Sequence, residues 1–184
     1  LSAVEGWYQN RYGVTLQDDE ILSLAGSQEG FAHVALTLCD PGDVVLVPNP
    51  GYPVFEAGPF LNDAKIAYYE LDKTNHYAPA LDKIPEELAQ KAKMMVVSYP
   101  LNPTCTCIEK ADYEKIIAFA KKYNIAIIHD NAYSEIEYDG RTGFSFLSVP
   151  GAKEVGIEFN SLSKTYGLAG ARIGFCVGNE EVVS

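Results

Sequence analysis

The sequence predicts an α/β fold in which a mostly parallel sheet is sandwiched between helices. Short apolar runs rich in β-branched residues alternate along the chain with turns and with segments of helical periodicity. Nearly continuous apolar runs of this kind are typical of strands buried on both faces, as in parallel sheets covered by helices. The predicted strands cover residues 21–25, 44–48, 65–71, 93–98, 125–129, 155–159 and 173–177.

Helices are predicted between several of these strands. Phe31, Val34, Ala35 and Leu38 follow the i, i+3, i+4, i+7 spacing that places side chains on one face of a helix. The segment 113–123 repeats that spacing. Further helices are predicted over 85–92 and from the start of the chain to the glycine at position 13, a residue that commonly ends a helix.

Composition and charge exclude several classes of function. The chain of 184 residues has a formal net charge of −11 at pH 7, which argues against binding to nucleic-acid phosphates or to an anionic membrane surface. Its apolar runs are far shorter than the roughly 20 residues that span a bilayer. The first residues show no basic and then apolar signal pattern. We therefore expect a soluble cytoplasmic protein with neither nucleic acid nor membrane as a partner.

The four cysteines do not form the pattern of a disulfide scaffold or of a zinc site. They are too few and too scattered to staple a small secreted domain. Cys105 and Cys107 form a C-x-C pair, but no second cysteine or histidine pair completes a set of four zinc ligands. The sequence predicts free thiols and no bound metal.

Several predicted strands are followed by residues that suit a binding site, because ligands of parallel sheets lie beyond the carboxyl ends of the strands. The small-residue loop 26–30 precedes a predicted helix and offers backbone N–H groups to a phosphate, although Ser27 is equally suited to be a simple helix cap. Asn102 lies between two prolines, and Asp130 follows an apolar strand. Each of these two is explained as well by loop structure as by a functional role.

The segment 161–172 is the most specific motif, because it holds a lysine within a turn rich in small and hydroxyl residues. Burial of Lys164 would disfavour its ammonium form, lower its pKa and leave a nucleophilic amine. Nearby serines and Arg172 suit a dianionic phosphate. An aldehyde cofactor that carries a phosphate needs this combination.

This segment resembles the pyridoxal-phosphate lysine signature of class I/II aminotransferases, in which S-x-S-K is followed by G-x-R. The segments 26–30, 50–52, 99–104 and 130–133 are similar to that family's other landmarks, in the same order, so the resemblance covers essentially the whole chain. It implies the α/β/α large domain of fold type I and pyridoxal 5'-phosphate as the cofactor. Within the family, 151–158 is most similar to LL-diaminopimelate aminotransferases and their relatives.

The resemblance also implies a role for individual residues. Lys164 would form the internal aldimine and move a proton between the substrate Cα and the cofactor C4′. Asp130 would pair with the pyridinium nitrogen, while Tyr133 and Asn102 would bind the 3′ oxygen of the ring. Tyr52 would stack on the ring, and the phosphate would be held by Ser27, Gln28, Ser161 and Arg172.

The implied reaction is amino transfer between an amino acid and a 2-oxo acid, in a homodimer of the full-length protein. Two alternatives stay open: a carbon–sulfur β-lyase with the same cofactor, and an aminotransferase-like effector domain of a transcription regulator. Family members are considerably longer, so 1–184 is expected to be a partial large domain without its N-terminal segment and C-terminal small domain. Such a piece is expected to be inactive or weakly active alone.

In the motif after the strand at 93–98, one departure from the family pattern affects the backbone conformation of the loop. Members commonly have glycine where this chain has Cys105. Glycine is common where a backbone needs unusual dihedral angles. The cysteine therefore makes the conformation of this loop less certain, but it has little bearing on cofactor binding.

Overall fold

Seven strands form one sheet in the computed structural model, which describes residues 1–141 and 143–184. Each strand corresponds to one predicted from the sequence, and no end differs from the prediction by more than two residues. In chain order the strands are Ile21–Leu24 (β1), Val44–Asn49 (β2), Lys65–Glu70 (β3), Ala92–Ser98 (β4), Ala126–Asp130 (β5), Gly156–Ser161 (β6) and Gly174–Gly178 (β7).

The sheet is mostly parallel, as predicted. Its spatial order is β1-β7-β6-β5-β4-β2-β3, and β7 runs antiparallel to both of its neighbours, β1 and β6. The other neighbouring pairs are parallel. Because β7 runs in the opposite direction, its first residues lie at the edge where the six other strands end.

Helices cover the sheet, and four of them were predicted from the sequence. The first ends at Gly13, whose φ of 68° is the left-handed conformation expected of a glycine that terminates a helix. No helix in the described parts of the chain is long and apolar enough to cross a membrane. The helices are Ser2–Tyr12 (α1), Ser27–Leu38 (α2), Val54–Leu61 (α3), Glu86–Lys91 (α4), Lys110–Tyr123 (α5), Ala152–Val155 (α6), Leu162–Thr165 (α7) and Glu180–Val183 (α8).

The core lies in two layers, one on each face of the sheet, because successive residues of a strand point to opposite faces. On β4, Met95 and Val97 join the layer that includes residues of α1 and α5. Met94 and Val96 join the layer that includes residues of α2 and α3. The molecule is therefore an α/β/α sandwich, as the sequence predicted.

Helix α2 lies close to the strand edge that carries the candidate site. Its buried side, with Phe31, Val34 and Ala35, packs into one core layer. At Gly30 an added side-chain carbon would overlap the ring of Phe159 on β6. This close approach brings the first turn of α2 to the end of β6 and the start of β7.

Candidate active site

The residues predicted from the sequence converge on one cavity at the edge where the parallel strands end. The cavity has a volume of about 300 Å³ and lies between the start of α2, the ends of β5 and β6, and the chain between β6 and β7. Every predicted site residue lines it: Ser27, Gln28, Tyr52, Asn102, Asp130, Tyr133, Ser161, Lys164 and Arg172.

Asp130 is the buried acid of this cavity. It is the last residue of β5, and Ser98 at the end of neighbouring β4 lies with its Oγ 3.4 Å from Asp130 Oδ2. Burial raises the pKa of Asp130 from its ordinary 3.8 to about 6, although the nearby His129 and hydrogen bonds from Ala132 and Ser98 lower it. A cationic N–H group in the cavity would stabilise the charged form of this carboxyl group.

The start of α2 provides free backbone N–H groups next to a guanidinium. The helix begins at Ser27, and the N-cap is Gly26, with φ 88° and ψ 151°. The alternative that Ser27 is the cap is therefore wrong. Arg172 donates from Nη1 to Ala169 O at 3.1 Å and from Nη2 to Ala25 O at 3.5 Å. A helix N-terminus and an arginine side by side form a site for an anion.

The aromatic ring of Tyr52 is fixed at the cavity by two neighbours. The Gln28 side-chain amide donates from Nε2 to Tyr52 Oη at 2.6 Å. The Phe55 ring lies edge to face with it at 6.0 Å between centroids. Gln28 therefore contributes its side chain as well as its place in the first turn of α2.

Lys164 lies on the short helix α7, which begins directly after β6. Its Nζ is 5.8 Å from the centroid of the Tyr133 ring. Burial and the charge of Asp130 raise the pKa of the Tyr133 phenol. The expected burial of Lys164 is not observed, because α7 is only half-buried, the turn that follows it is exposed, and the lysine itself is exposed.

Ser161 links the end of β6 to this helix. It is buried, and its Oγ caps α7 by accepting a hydrogen bond from Ser163 N at 3.2 Å. Asn102 reaches the same cavity from the loop after β4 and is half-buried there. In that loop Cys105 has φ 59°, the left-handed conformation that suits the glycine common at this position.

Some residues in or beside the cavity were not among the predicted site residues. Ser98 could have been noticed as a hydroxyl residue ending an otherwise apolar strand that precedes the Asn102 loop. The apolar residues of the cavity could not be identified from the sequence, because an apolar residue near a strand end looks the same as a core residue. The cavity is also lined by Phe31, Val54, Ala132, Ser163 and Ala169.

The four thiols of the chain are free. Cys39 and Cys176 are buried, and burial raises their pKa values to about 11 and about 12. Among the described residues, no three His, Cys, Asp or Glu side chains are grouped so as to hold a metal ion.

Comparison with known proteins gives a consistent result. LL-diaminopimelate aminotransferase from Syntrophobacter fumaroxidans is 45% identical over 183 residues, which are 99% of this chain and 47% of that protein. A substrate-bound BacF structure from Bacillus subtilis is 40% identical with a TM-score of 0.96, and the match covers 99% of this chain and 46% of that one. A probable N-succinyldiaminopimelate aminotransferase from Thermus thermophilus is 37% identical with a TM-score of 0.93, covering 99% and 49%.

The chain thus spans about half the length of the curated relatives it matches. The model of the aminotransferase class I and II family matches residues 2–184, and this family depends on pyridoxal 5′-phosphate. Since nearly every residue is matched and the predicted sheet and cavity are both present, the chain belongs to the aminotransferase class I and II family.

Proposed function

We propose that residues 1–184 form the pyridoxal-phosphate-binding large domain of an aminotransferase that moves an amino group from an amino acid to a 2-oxo acid. The observation that carries the proposal is that Lys164, Asp130 and Arg172 share one cavity although they come from different parts of the sheet. In this proposal the full protein has an N-terminal segment and a C-terminal small domain in addition, and this part alone has little activity.

The cavity fits the cofactor by the chemistry of its side chains. Asp130 is a buried carboxyl group that gains from a protonated ring nitrogen. Arg172 and the first turn of α2 offer positive groups to a phosphate. The volume of about 300 Å³ is within the range of small-molecule sites, about 300–1,000 Å³.

Four residues act on the reacting atoms or on the cofactor ring in this proposal. Bound pyridoxal phosphate supplies an aldehyde that captures amino groups and a ring that withdraws electrons from the substrate. Lys164 Nζ would be the group that moves the proton between the substrate Cα and the cofactor C4′. Asp130 keeps a proton on the ring nitrogen, and the Tyr133 hydroxyl, together with the Asn102 amide, binds the 3′ oxygen.

The remaining predicted residues hold the cofactor. Ser27 and Gln28 present N–H groups of the first turn of α2 to the phosphate, which Ser161 and Arg172 also bind. Tyr52 stacks on the ring, and its hydrogen bond from Gln28 fixes the plane of its own ring.

The proposal extends to substrate, assembly and compartment. We propose a diaminopimelate-type amino acid as the amino donor, since relatives at 45% and 37% identity carry names of that type. A homodimer in the full-length protein and a cytoplasmic location are also proposed. Free thiols and the net charge of −11 support a reducing compartment and a soluble protein.

Reductive labelling tests the cofactor site. The chain is mixed with pyridoxal phosphate, reduced with borohydride and digested, and the labelled peptide is identified by mass spectrometry. We expect the label on Lys164 and its loss in Lys164→Ala. Lys115→Ala, which removes an exposed lysine of α5, is the matched control and should keep the label. Label spread over surface lysines, or no label, would contradict the proposal.

The reaction type is tested separately in the full-length protein. Turnover of LL-diaminopimelate that requires a 2-oxo acid indicates amino transfer. Turnover that proceeds without a 2-oxo acid and releases a thiol from a sulfur amino acid would instead favour the carbon–sulfur β-lyase.

A further inference from the structure

Glu158 is a fully buried carboxylate on β6. Its strand neighbours Ile157 and Phe159 point into the core layer that includes α2, so Glu158 points to the other face of the sheet. Burial alone raises the pKa of Glu158, but hydrogen bonds from its neighbours outweigh burial, so its pKa is lowered and the carboxylate stays charged. Its two oxygens accept from Tyr8 Oη at 2.6 Å, Asn131 Nδ2 at 2.9 Å, Phe146 N at 2.9 Å, His129 Nδ1 at 3.0 Å and Ser145 Oγ at 3.0 and 3.1 Å.

Of these donors, Asn131 belongs to the turn that carries two of the proposed catalytic residues. It follows Asp130 directly and is two residues before Tyr133. Asn131 is fully buried, and besides Glu158 its Nδ2 donates to Phe144 O at 3.2 Å. Its backbone N–H donates to Phe159 O at 2.9 Å, next to Glu158 on β6.

The other donors to Glu158 come from outside this turn. Tyr8 is on α1, and Ser145 and Phe146 lie in the segment that follows the turn. His129 directly precedes Asp130 on β5 and connects the carboxylate to that strand. Loss of any one of these donors weakens the same buried cluster, whereas the bond from Asn131 is the one made from within the Asp130–Tyr133 turn.

We propose that Glu158 is a positioning residue that acts through Asn131 to hold Asp130 and Tyr133 at a fixed separation. The inference rests on the proposed function, in which these two residues bind different atoms of one rigid ring. A misplacement of about 1 Å at such a site can cost about 100-fold in rate. A side chain fixed by a charged, fully buried partner provides the required rigidity.

The test compares two variants that each remove one donor to Glu158. Asn131→Ala removes the donor within the turn, and Ser145→Ala removes a donor outside it. Amide hydrogen exchange at Ala132 and Tyr133 is measured in the cofactor-free chain. We expect exchange to become about tenfold faster or more in Asn131→Ala, the scale of one hydrogen bond to a charged group, and to stay unchanged in Ser145→Ala.

A second readout uses the bound cofactor. The visible circular dichroism of pyridoxal phosphate reports how rigidly its ring is held, and we expect a weaker signal per bound cofactor in Asn131→Ala alone. If Asn131→Ala does not fold, Asn131→Ser, whose hydroxyl is too short to reach Glu158, takes its place with the same expected result.

Wild-type exchange in the Asn131 variant, or equal effects in the Ser145 variant, would overturn the inference. A wild-type chain that binds no pyridoxal phosphate would contradict the proposed function instead. In that case the exchange measurement still decides whether the Asn131 side chain, through its bonds to Glu158 and Phe144 O, anchors the turn.

Discussion

The guanidinium of Arg172 lies against Gly26, so closely that a side-chain carbon on Gly26 would overlap it. Gly26 also has φ 88° and ψ 151°, a conformation that residues with a Cβ rarely adopt. Two separate requirements therefore favour glycine at the residue that precedes α2. Both concern the anion-binding side of the cavity.

We predict that Gly26→Ala weakens the binding of pyridoxal phosphate by about tenfold or more, because it displaces a charge-assisted partner of the phosphate. The binding of pyridoxal, which lacks the phosphate, should weaken less. Gly42→Ala is the control, since Gly42 has φ 90° with open space around it. The check is a spectroscopic titration, and wild-type affinity in Gly26→Ala would contradict the prediction.

The stability of the chain should depend on pH through Asp130. Its pKa is about 6 in the folded chain and 3.8 ordinarily, so between these values the folded chain holds a proton that the unfolded chain has released. The free energy of unfolding then falls as the pH rises through this window, by about 3 kcal/mol at most. Asp130→Asn has no carboxyl group at this position, so its free energy of unfolding should not show this fall with pH.

Urea unfolding of both proteins at about pH 4 and about pH 7 checks this prediction. We expect Asp130→Asn to gain stability relative to the wild type as the pH rises, by about 3 kcal/mol at most. A stability difference that is the same at both pH values would show that Asp130 does not titrate in this window.

Two helical glycines should respond in opposite ways to alanine. At Gly30 on α2 a side-chain carbon would overlap the Phe159 ring, so Gly30→Ala is expected to destabilise the chain by about 1–3 kcal/mol. Gly6 on α1 has open space around it, so Gly6→Ala is expected to stabilise the chain by about 0.5–1 kcal/mol. Urea unfolding checks both, and the same sign for the two variants would contradict the packing described here.

Replacing Cys105 by glycine should stabilise the chain by about 0.5–1 kcal/mol, because its φ of 59° strains any residue with a Cβ. Asn124→Gly is the control. Asn124 has φ 55° at the end of α5, and asparagine tolerates this conformation better, so its replacement should change stability less. Thermal unfolding of both variants measures the difference. A loss of stability in Cys105→Gly would show that its side chain makes a compensating contact.

The strands were predictable because their apolar runs are buried on both faces, but α3 was not. It contains Gly58 and Pro59, residues that usually interrupt helices. The helix exists because Phe55 is buried and because Gly58 lets its backbone approach α2 closely, at the carbonyl of Phe31. Both are tertiary contacts, and the local sequence does not contain them.

The candidate site was predictable as a set of residues, but its geometry was not. Motif spacing places Lys164 and Arg172 between two strands. The contact of Arg172 with Gly26 depends on the direction of β7, and the residues of β7 do not determine that direction by themselves. The sequence position of Glu158 could have indicated a buried polar cluster. A charged residue within a strand buried on both faces requires partners, and the sequence does not say which.

The reversed direction of β7 has a consequence for how the cavity assembles. Since β6 and β7 pair as neighbours joined by residues 162–173, chain closure over a short loop brings the Lys164 amine and the Arg172 guanidinium to the same edge of the sheet. Closing so short a loop costs little conformational entropy, whereas Ser27 and Asp130 join them through contacts distant in sequence. We expect the amine and the guanidinium to reach the same edge early in folding, and helix α2 to complete the cavity later.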